Sequence, residues 1–125
     1  MIKILIVDDN EVLADLIKAM LEVEKSYHVM TAENGGEGYA AFLTFKPDVI
    51  LTDIEMPVKD GLEMVKDIRV HQPSIKAIYM SADLTRYRSS LEKEKAKYKA
   101  ALLDKPFTIS QVMGLFDEYQ IERGC

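Results

Sequence analysis

One cysteine, Cys125, occupies the last of the 125 positions in this chain. So late and solitary a thiol excludes an internal disulfide framework and any structural zinc site built on cysteines, and it suits a reducing compartment. Proline is scarce, with 4 residues, and the 6 glycines form no Gly-, Ser- or Pro-rich linker. Repeats and low-complexity tracts are missing too, so a single domain over residues 1–125, with no output domain, is expected. Apolar runs fall far short of the roughly 20 residues that a membrane-spanning helix needs. Ile4 to Val7 is too short for a signal peptide and is cut off by Asp8 and Asp9. A basic excess is also lacking: 16 Lys and Arg stand against 21 Asp and Glu, a formal net charge of -5. This balance disfavours a nucleic-acid backbone or an anionic membrane as ligand. The expectation is a cytoplasmic monomer that contacts neither.

What is present is an ordinary core-forming composition, 48% hydrophobic and 30% charged, in a chain of single-domain size. Short β-branched apolar runs alternate with longer amphipathic stretches, the pattern of βαβ units around a parallel sheet covered on both faces. The predicted strands are Ile2 to Val7, Val29 to Ala32, Val49 to Thr52, Ala77 to Met80 and Ala100 to Leu103. Between them the periodicity predicts helices over Glu11 to Glu24, Gly36 to Phe45, Leu62 to Val70, about Leu84 to Tyr98, and Ile109 to Ile121. Crossovers are expected to be right-handed. The fold class is α/β, an open doubly wound sheet.

In such a sheet a ligand binds outside the carboxyl ends of the strands, where strand order reverses. The residues that follow the predicted strands are Asp8 and Asp9, Asp53, Ser81, and Lys105 with Pro106. Three carboxylates gathered in a partly dehydrated cleft repel one another, so one takes a proton or a cation compensates them. A hard divalent ion suits them. Mg²⁺ takes oxygen ligands from one or two carboxylates plus waters and a phosphate, matching Asp9 and Asp53 with Asp8 assisting. With Lys105 added, the three negative charges are balanced and an anionic phosphoryl group can enter.

Four motifs in this order carry a family resemblance: Val7-Asp8-Asp9-Asn10; Val49 through Pro57 with Asp60-Gly61 following; Met80-Ser81-Ala82; and Asp104-Lys105-Pro106-Phe107. Over essentially the whole chain the sequence resembles the receiver domains of two-component response regulators. The resemblance implies a five-stranded flavodoxin-like (βα)5 fold of strand order 2-1-3-4-5. It implies that Asp53 is the phosphoacceptor, a carboxylate nucleophile forming an acyl phosphate, and that Asp8, Asp9, Asp53 and the Glu55 backbone carbonyl serve Mg²⁺, with Mn²⁺ able to substitute. Lys105 and Ser81 would contact the phosphoryl group, and phosphorylation, which takes Asp53 from one negative charge to nearly two, would draw them inward. A Lys105-Pro106 cis peptide is implied as well. The implied partners are a histidine kinase or histidine phosphotransfer protein and an unidentified downstream protein. The implied activity is that of a switch catalysing only its own phosphorylation and dephosphorylation.

Some positions depart from the family pattern. The aromatic residue often found three before the lysine is Leu102 here, and Tyr98-Lys99 replaces the Gly-Ala that commonly ends the fourth helix. These changes lead to the expectation of a mobile or displaced fourth helix. Glu55 and Asp83, each two residues beyond a site residue, flank the implied path of attacking water, and Glu55 is expected to affect phosphoryl lifetime. Ala82, Asp83, Leu102 and Pro106 are counted with Glu55 as modulatory positions.

Other features carry structural expectations. Asn34 through Gly38 lacks the Lys-Ser/Thr of a P-loop and is read as a turn into the second helix. His28 and His71 are read as strand or surface residues, and the basic run from Arg86 to Lys99 as a solvated helix face, with a docking surface for an acidic partner as the alternative. Met20, Met56, Met64, Met80 and Met113 are read as core or gap filling, and Cys125 as a frayed end. Three alternatives stand beside the stand-alone switch, one a close variant and two of other kinds. A receiver module excised from a hybrid kinase or longer regulator would have this same sequence. A haloacid-dehalogenase-like phosphatase would need a second Asp where Glu55 stands, and a flavodoxin-like flavin site would meet repulsion from Asp8 and Asp9.

Overall fold

A computed structural model describes residues 2–23, 27–98 and 100–118, with the side chains of 116–118 excepted. Five strands, β1 (Ile2–Val7), β2 (Tyr27–Ala32), β3 (Val49–Asp53), β4 (Lys76–Ser81) and β5 (Ala100–Asp104), alternate with α1 (Glu11–Glu22), α2 (Gly35–Phe45), α3 (Gly61–His71), α4 (Arg88–Lys97) and α5 (Ile109–Glu118). The strands form one parallel sheet in the order β2-β1-β3-β4-β5. This is the doubly wound flavodoxin-like arrangement.

Side chains alternate across each strand, so a strand buried on both faces has to be apolar at every position. In β1, Ile4 and Ile6 face a core shared with Ile17 and Leu21 of α1 and Val112 of α5, whereas Leu5 and Val7 face Phe42, Met64 and Ile68 of α2 and α3. Each such fully buried Leu or Ile contributes roughly 1.5–3 kcal/mol relative to exposure.

Side-chain caps set where the helices begin. Asn10, Asn34 and Asp60 each accept a hydrogen bond from the backbone N–H three residues on, at 3.1, 2.9 and 2.8 Å. The Asn34 cap makes the glycine-containing stretch a helix entry.

Several expectations need correction. β2 begins at Tyr27 because that ring is buried and pairs with Ile2, while His28 and Met30 point outward. The helix predicted over Leu84 to Tyr98 is divided into a single 3-10 turn, Leu84–Tyr87, capped by Asp83, and then α4, whose N-cap Tyr87 supplies no side-chain bond. Met20 is 43% exposed and lies with Val12 and Leu16 on the open side of α1, so it does not fill the core. Met64 and Met80 are fully buried, and Met56 and Met113 pack partly against the two cores. His28 is exposed, and His71, also exposed, hydrogen-bonds the Tyr39 hydroxyl at 2.7 Å. α1 ends at Glu22. Glu24, Lys99, the predicted end of α5 at Ile121, and Cys125 lie outside the described residues.

Candidate phosphoacceptor site

β1 and β3 are neighbours, while β2 continues the sheet on the far side of β1. Strand order therefore reverses at β1/β3, and a crevice opens beyond their carboxyl ends. Asp8 and Asp9 leave β1 there, and Asp53 ends β3. One carboxylate oxygen from each lies within 4.8 Å of the others.

The three acids differ in setting. Asp8 is buried, with Oδ1 accepting the Asn10 N–H at 2.9 Å, which shapes the turn into α1. Asp9 is exposed at the mouth, and Asp53 is nearly buried between them. Lys105, just past β5, crosses the crevice so that its Nζ lies 3.2 Å from Asp8 Oδ2 and 3.2 Å from Asp53 Oδ2. Its own backbone N–H donates to the Ser81 carbonyl at 3.0 Å, locking the end of β5 to the end of β4. The Lys105-Pro106 peptide is cis, and Pro106 is exposed.

Burial raises the Asp53 carboxyl above the ordinary carboxylate range, and Asp8 and Asp9 add to this against the opposing pull of Lys105. For Lys105, burial disfavours the charge, but the Asp53 and Asp8 carboxylates overcome that and hold the ammonium above its usual value. One ammonium against three carboxylates leaves the crevice short of positive charge. A hard divalent cation with oxygen ligands fits both the donor set and that deficit.

Ser81 is buried at the end of β4, one residue beyond Met80, the register partner of Asp53. Its Oγ accepts the Asp83 N–H at 2.9 Å, which leaves the hydroxyl proton available for donation. Ala82 and Asp83 are exposed, and Asp83 is engaged in capping the 3-10 turn through the Arg86 N–H. Glu55 projects to solvent and pairs with Arg86 at 3.4 Å. Leu102 is half-buried against the α2–α4 side of the sheet.

Two further residues support the site without having been assigned a role from the sequence. Gly61 is required because a Cβ there would lie 2.2 Å from the Asp53 carbonyl oxygen, and the sequence signal for it was the quoted Asp60-Gly61 pair. Arg86, paired with Glu55 across 31 positions, had no local signal beyond membership of the basic run.

Residues 4–116 match the family model described as response regulator receiver domain. Among curated proteins, the chain is 42% identical over 85 residues to protein-glutamate methylesterase/protein-glutamine glutaminase 3 of Rhodospirillum rubrum, a match covering 68% of this chain and 22% of that protein. It is 40% identical over 82 residues to the chemotaxis protein CheY of Listeria monocytogenes, covering 66% of this chain and 69% of the relative. The chain thus spans about a fifth to two-fifths of several longer relatives. Among solved structures, a CheY-like response regulator receiver domain protein from Methanospirillum hungatei superposes with a TM-score of 0.82 at 28% identity, covering 98% of this chain and 96% of that one. The response regulator TrrA of Thermotoga maritima, determined in complex with Mg(2+)-BeF, superposes with a TM-score of 0.72 at 34% identity, covering 92% and 99%. Among the described residues, no helix is long and apolar enough to cross a membrane.

Proposed function

The chain belongs to the response regulator receiver domain family, and on that premise we propose that it is a phosphoacceptor switch in which Asp53 takes a phosphoryl group from a histidine kinase or histidine phosphotransfer protein. The observation that carries the proposal is the Lys105 ammonium held 3.2 Å from both Asp8 and Asp53, within a cluster of three carboxylates at the switch point of the sheet.

In the proposed step, an Asp53 carboxylate oxygen attacks phosphorus, the new O–P bond forms, and the P–N bond to the donor imidazole breaks with its electron pair leaving on nitrogen. The transition state is loose, and its charge resides on the peripheral phosphoryl oxygens, so positioning and electrostatics supply most of the catalysis. Asp8 and Asp9, with Asp53 and the Glu55 backbone carbonyl, would hold Mg²⁺ or Mn²⁺. That ion would neutralise developing charge on the phosphoryl oxygens. Lys105, already between Asp8 and Asp53, would follow the phosphoryl oxygens, and the Ser81 hydroxyl would donate its free proton to one of them. Since Lys105 N–H is bonded to the Ser81 carbonyl, the two would move together. The Mg(2+)-BeF complex described for the Thermotoga relative supports this assignment of the metal.

The unit we propose is one receiver domain over residues 1–125 with no chemistry beyond its own phosphorylation and dephosphorylation. It would act in the cytoplasm as a monomer, passing its signal to another protein or domain. Incubation with acetyl phosphate, with and without Mg²⁺, followed by intact mass measurement tests the reading. A single phosphoryl addition that needs Mg²⁺ and is lost in Asp53→Asn is expected. Turnover of a generic phosphate ester, with no adduct on Asp53, would instead favour a phosphatase.

A further inference from the structure

Between α3 and α4 lies a groove of about 430 Å³, lined by none of the candidate phosphoacceptor residues. Leu62, Lys66 and Arg69 come from one helix, and Lys93, Lys97 and the adjoining Tyr98 come from the other. In a chain of net charge -5, this surface has the opposite sign. Lys66, Lys93 and Lys97 are exposed, and among the described residues none lies within ion-pair distance of a carboxylate.

The groove also has carboxylates, but the central one is already engaged. Glu94 accepts the Tyr79 hydroxyl proton and lies 3.6 Å from Arg69 Nε. Glu63 stands at the end of the groove, in the first turn of α3. Beneath the lysines, the Arg69 guanidinium is buried, stacked 4.0 Å from the Tyr98 ring centre and donating to the Pro73 and Ile75 carbonyls, while its Nη2 has no hydrogen-bond partner among the described residues. It adds a fixed positive charge under the groove. Four cations against two carboxylates leave a net positive surface.

Shape selects among anions. The lining runs from Leu62 to Arg69 on α3 and from Ser90 to Lys97 on α4, about 10 Å of helix on each side at 1.5 Å per residue. Its exposed cations are separate ammonium groups on flexible stems, without the arginine fork or convergent backbone N–H groups that grip one compact phosphate. Leu62, the Tyr98 ring and the lysine methylenes give it an apolar lining. A string of carboxylates around an apolar side chain fits this arrangement better than a single dense anion.

We propose that the α3–α4 groove docks an acidic peptide segment of a partner protein, its carboxylates on Lys66, Lys93 and Lys97 and an apolar side chain against Leu62 and Tyr98. The proposal does not depend on the phosphoacceptor role.

The test titrates the full chain into a fluorescein-labelled peptide of sequence Glu-Asp-Leu-Glu-Asp-Leu, and into its Gln/Asn counterpart, at low salt with anisotropy as readout. Saturable binding of the acidic peptide alone is expected, weakening as salt is added. Lys66→Glu, and Lys93→Glu with Lys97→Glu, should weaken it about tenfold or more, and Lys93→Gln with Lys97→Gln by less, because charge removal is milder than reversal. Lys46→Glu, the same charge change at an exposed position outside the groove, should leave binding unchanged. Backbone amide shifts in the ¹⁵N-labelled chain should cluster in residues 62–69 and 90–98. The proposal is overturned if the acidic peptide does not bind, if the amide counterpart binds equally, if Lys46→Glu weakens binding as much as the groove variants, or if the shifts fall elsewhere. It is also overturned if ATP binds the groove and the peptide does not, which would assign the groove to a small anion.

Discussion

Tyr79 on β4 donates its phenolic proton to the carboxylate of Glu94 on α4. Burial, reinforced by Glu94, pushes that phenol far above its ordinary range, so it remains a donor. Tyr79 is two residues before Ser81 and is the register partner of Leu102. The strand position three before the lysine thus carries an aliphatic side chain, while an aromatic one stands directly beside it and reaches α4. Leu91 is the one buried residue of α4, so the Tyr79–Glu94 bond is a main attachment of that helix to the sheet.

Tyr79→Phe removes this bond with little change in packing. A net cost of about 1–2 kcal/mol is expected, with a fall in Tm of roughly 3–8 °C for a domain of this size. Amide hydrogen exchange should rise in residues 88–97 and stay constant in α1. An unchanged exchange pattern would show that α4 is held by other contacts.

Asp53→Asn removes a buried negative charge from a crevice that already contains two. In metal-free buffer at neutral pH the variant should be the more stable, by an amount on the order of 1 kcal/mol or about 3–5 °C in Tm. The sign follows from the raised carboxyl. Below the unfolded value of 3.8, Asp53 is neutral in both states and carries no penalty. As pH rises from there through the higher folded value, wild type accumulates the full cost of the charge. The stability difference between variant and wild type should therefore open with rising pH, as measured by thermal melts from pH 3 upward. A difference that closes with rising pH would contradict the raised carboxyl.

Val58 is 87% exposed and sits at φ 73, in the left-handed region that disfavours a β-branched residue. Val58→Gly should relieve that strain and raise stability by about 0.5–1 kcal/mol even though glycine is more flexible when unfolded. Denaturant melts with an unchanged slope would register the gain as a shift in midpoint. A loss of stability would mean that the loop between β3 and α3 tolerates Val58 without strain.

Glu55 makes a solvent-exposed pair with Arg86, and such pairs contribute only about 0–1 kcal/mol. Under the proposed function, its carboxylate would be free to leave Arg86 and act on the phosphoryl group that Asp53 would carry or on the water attacking it. Glu55→Ala and Glu55→Asn should each change the autodephosphorylation rate about threefold or more, equivalent to ~0.7 kcal/mol in the barrier. Equal rates in both variants and the wild type would remove Glu55 from the list of modulators.

The elements themselves were legible in the sequence because they rest on local signals. Continuous apolar runs mark strands buried on both faces, and helical periodicity between those runs marks the helices. The candidate site was legible for a related reason, since polar residues directly after such strands emerge on one rim. Features that depend on neighbours were not. Met20 reads as core filling in the sequence, yet the sheet covers only one side of α1 and Met20 lies with Val12 and Leu16 on the open side. Periodicity likewise merged the 3-10 turn at Leu84–Tyr87 with α4, because the break follows from Asp83 turning back on the Arg86 N–H.

By itself the sequence determined which segments become strands and helices, and that three aspartates, a serine and a lysine follow the strands. Tertiary structure decided which of them meet. Lys105 reaches Asp53 across 52 positions and Asp8 across 97, and that distance closes only because parallel crossovers return every strand to the same edge of the sheet with β1 beside β3. The same packing left α3 and α4 apart, with their lysines facing a groove that no local pattern could disclose.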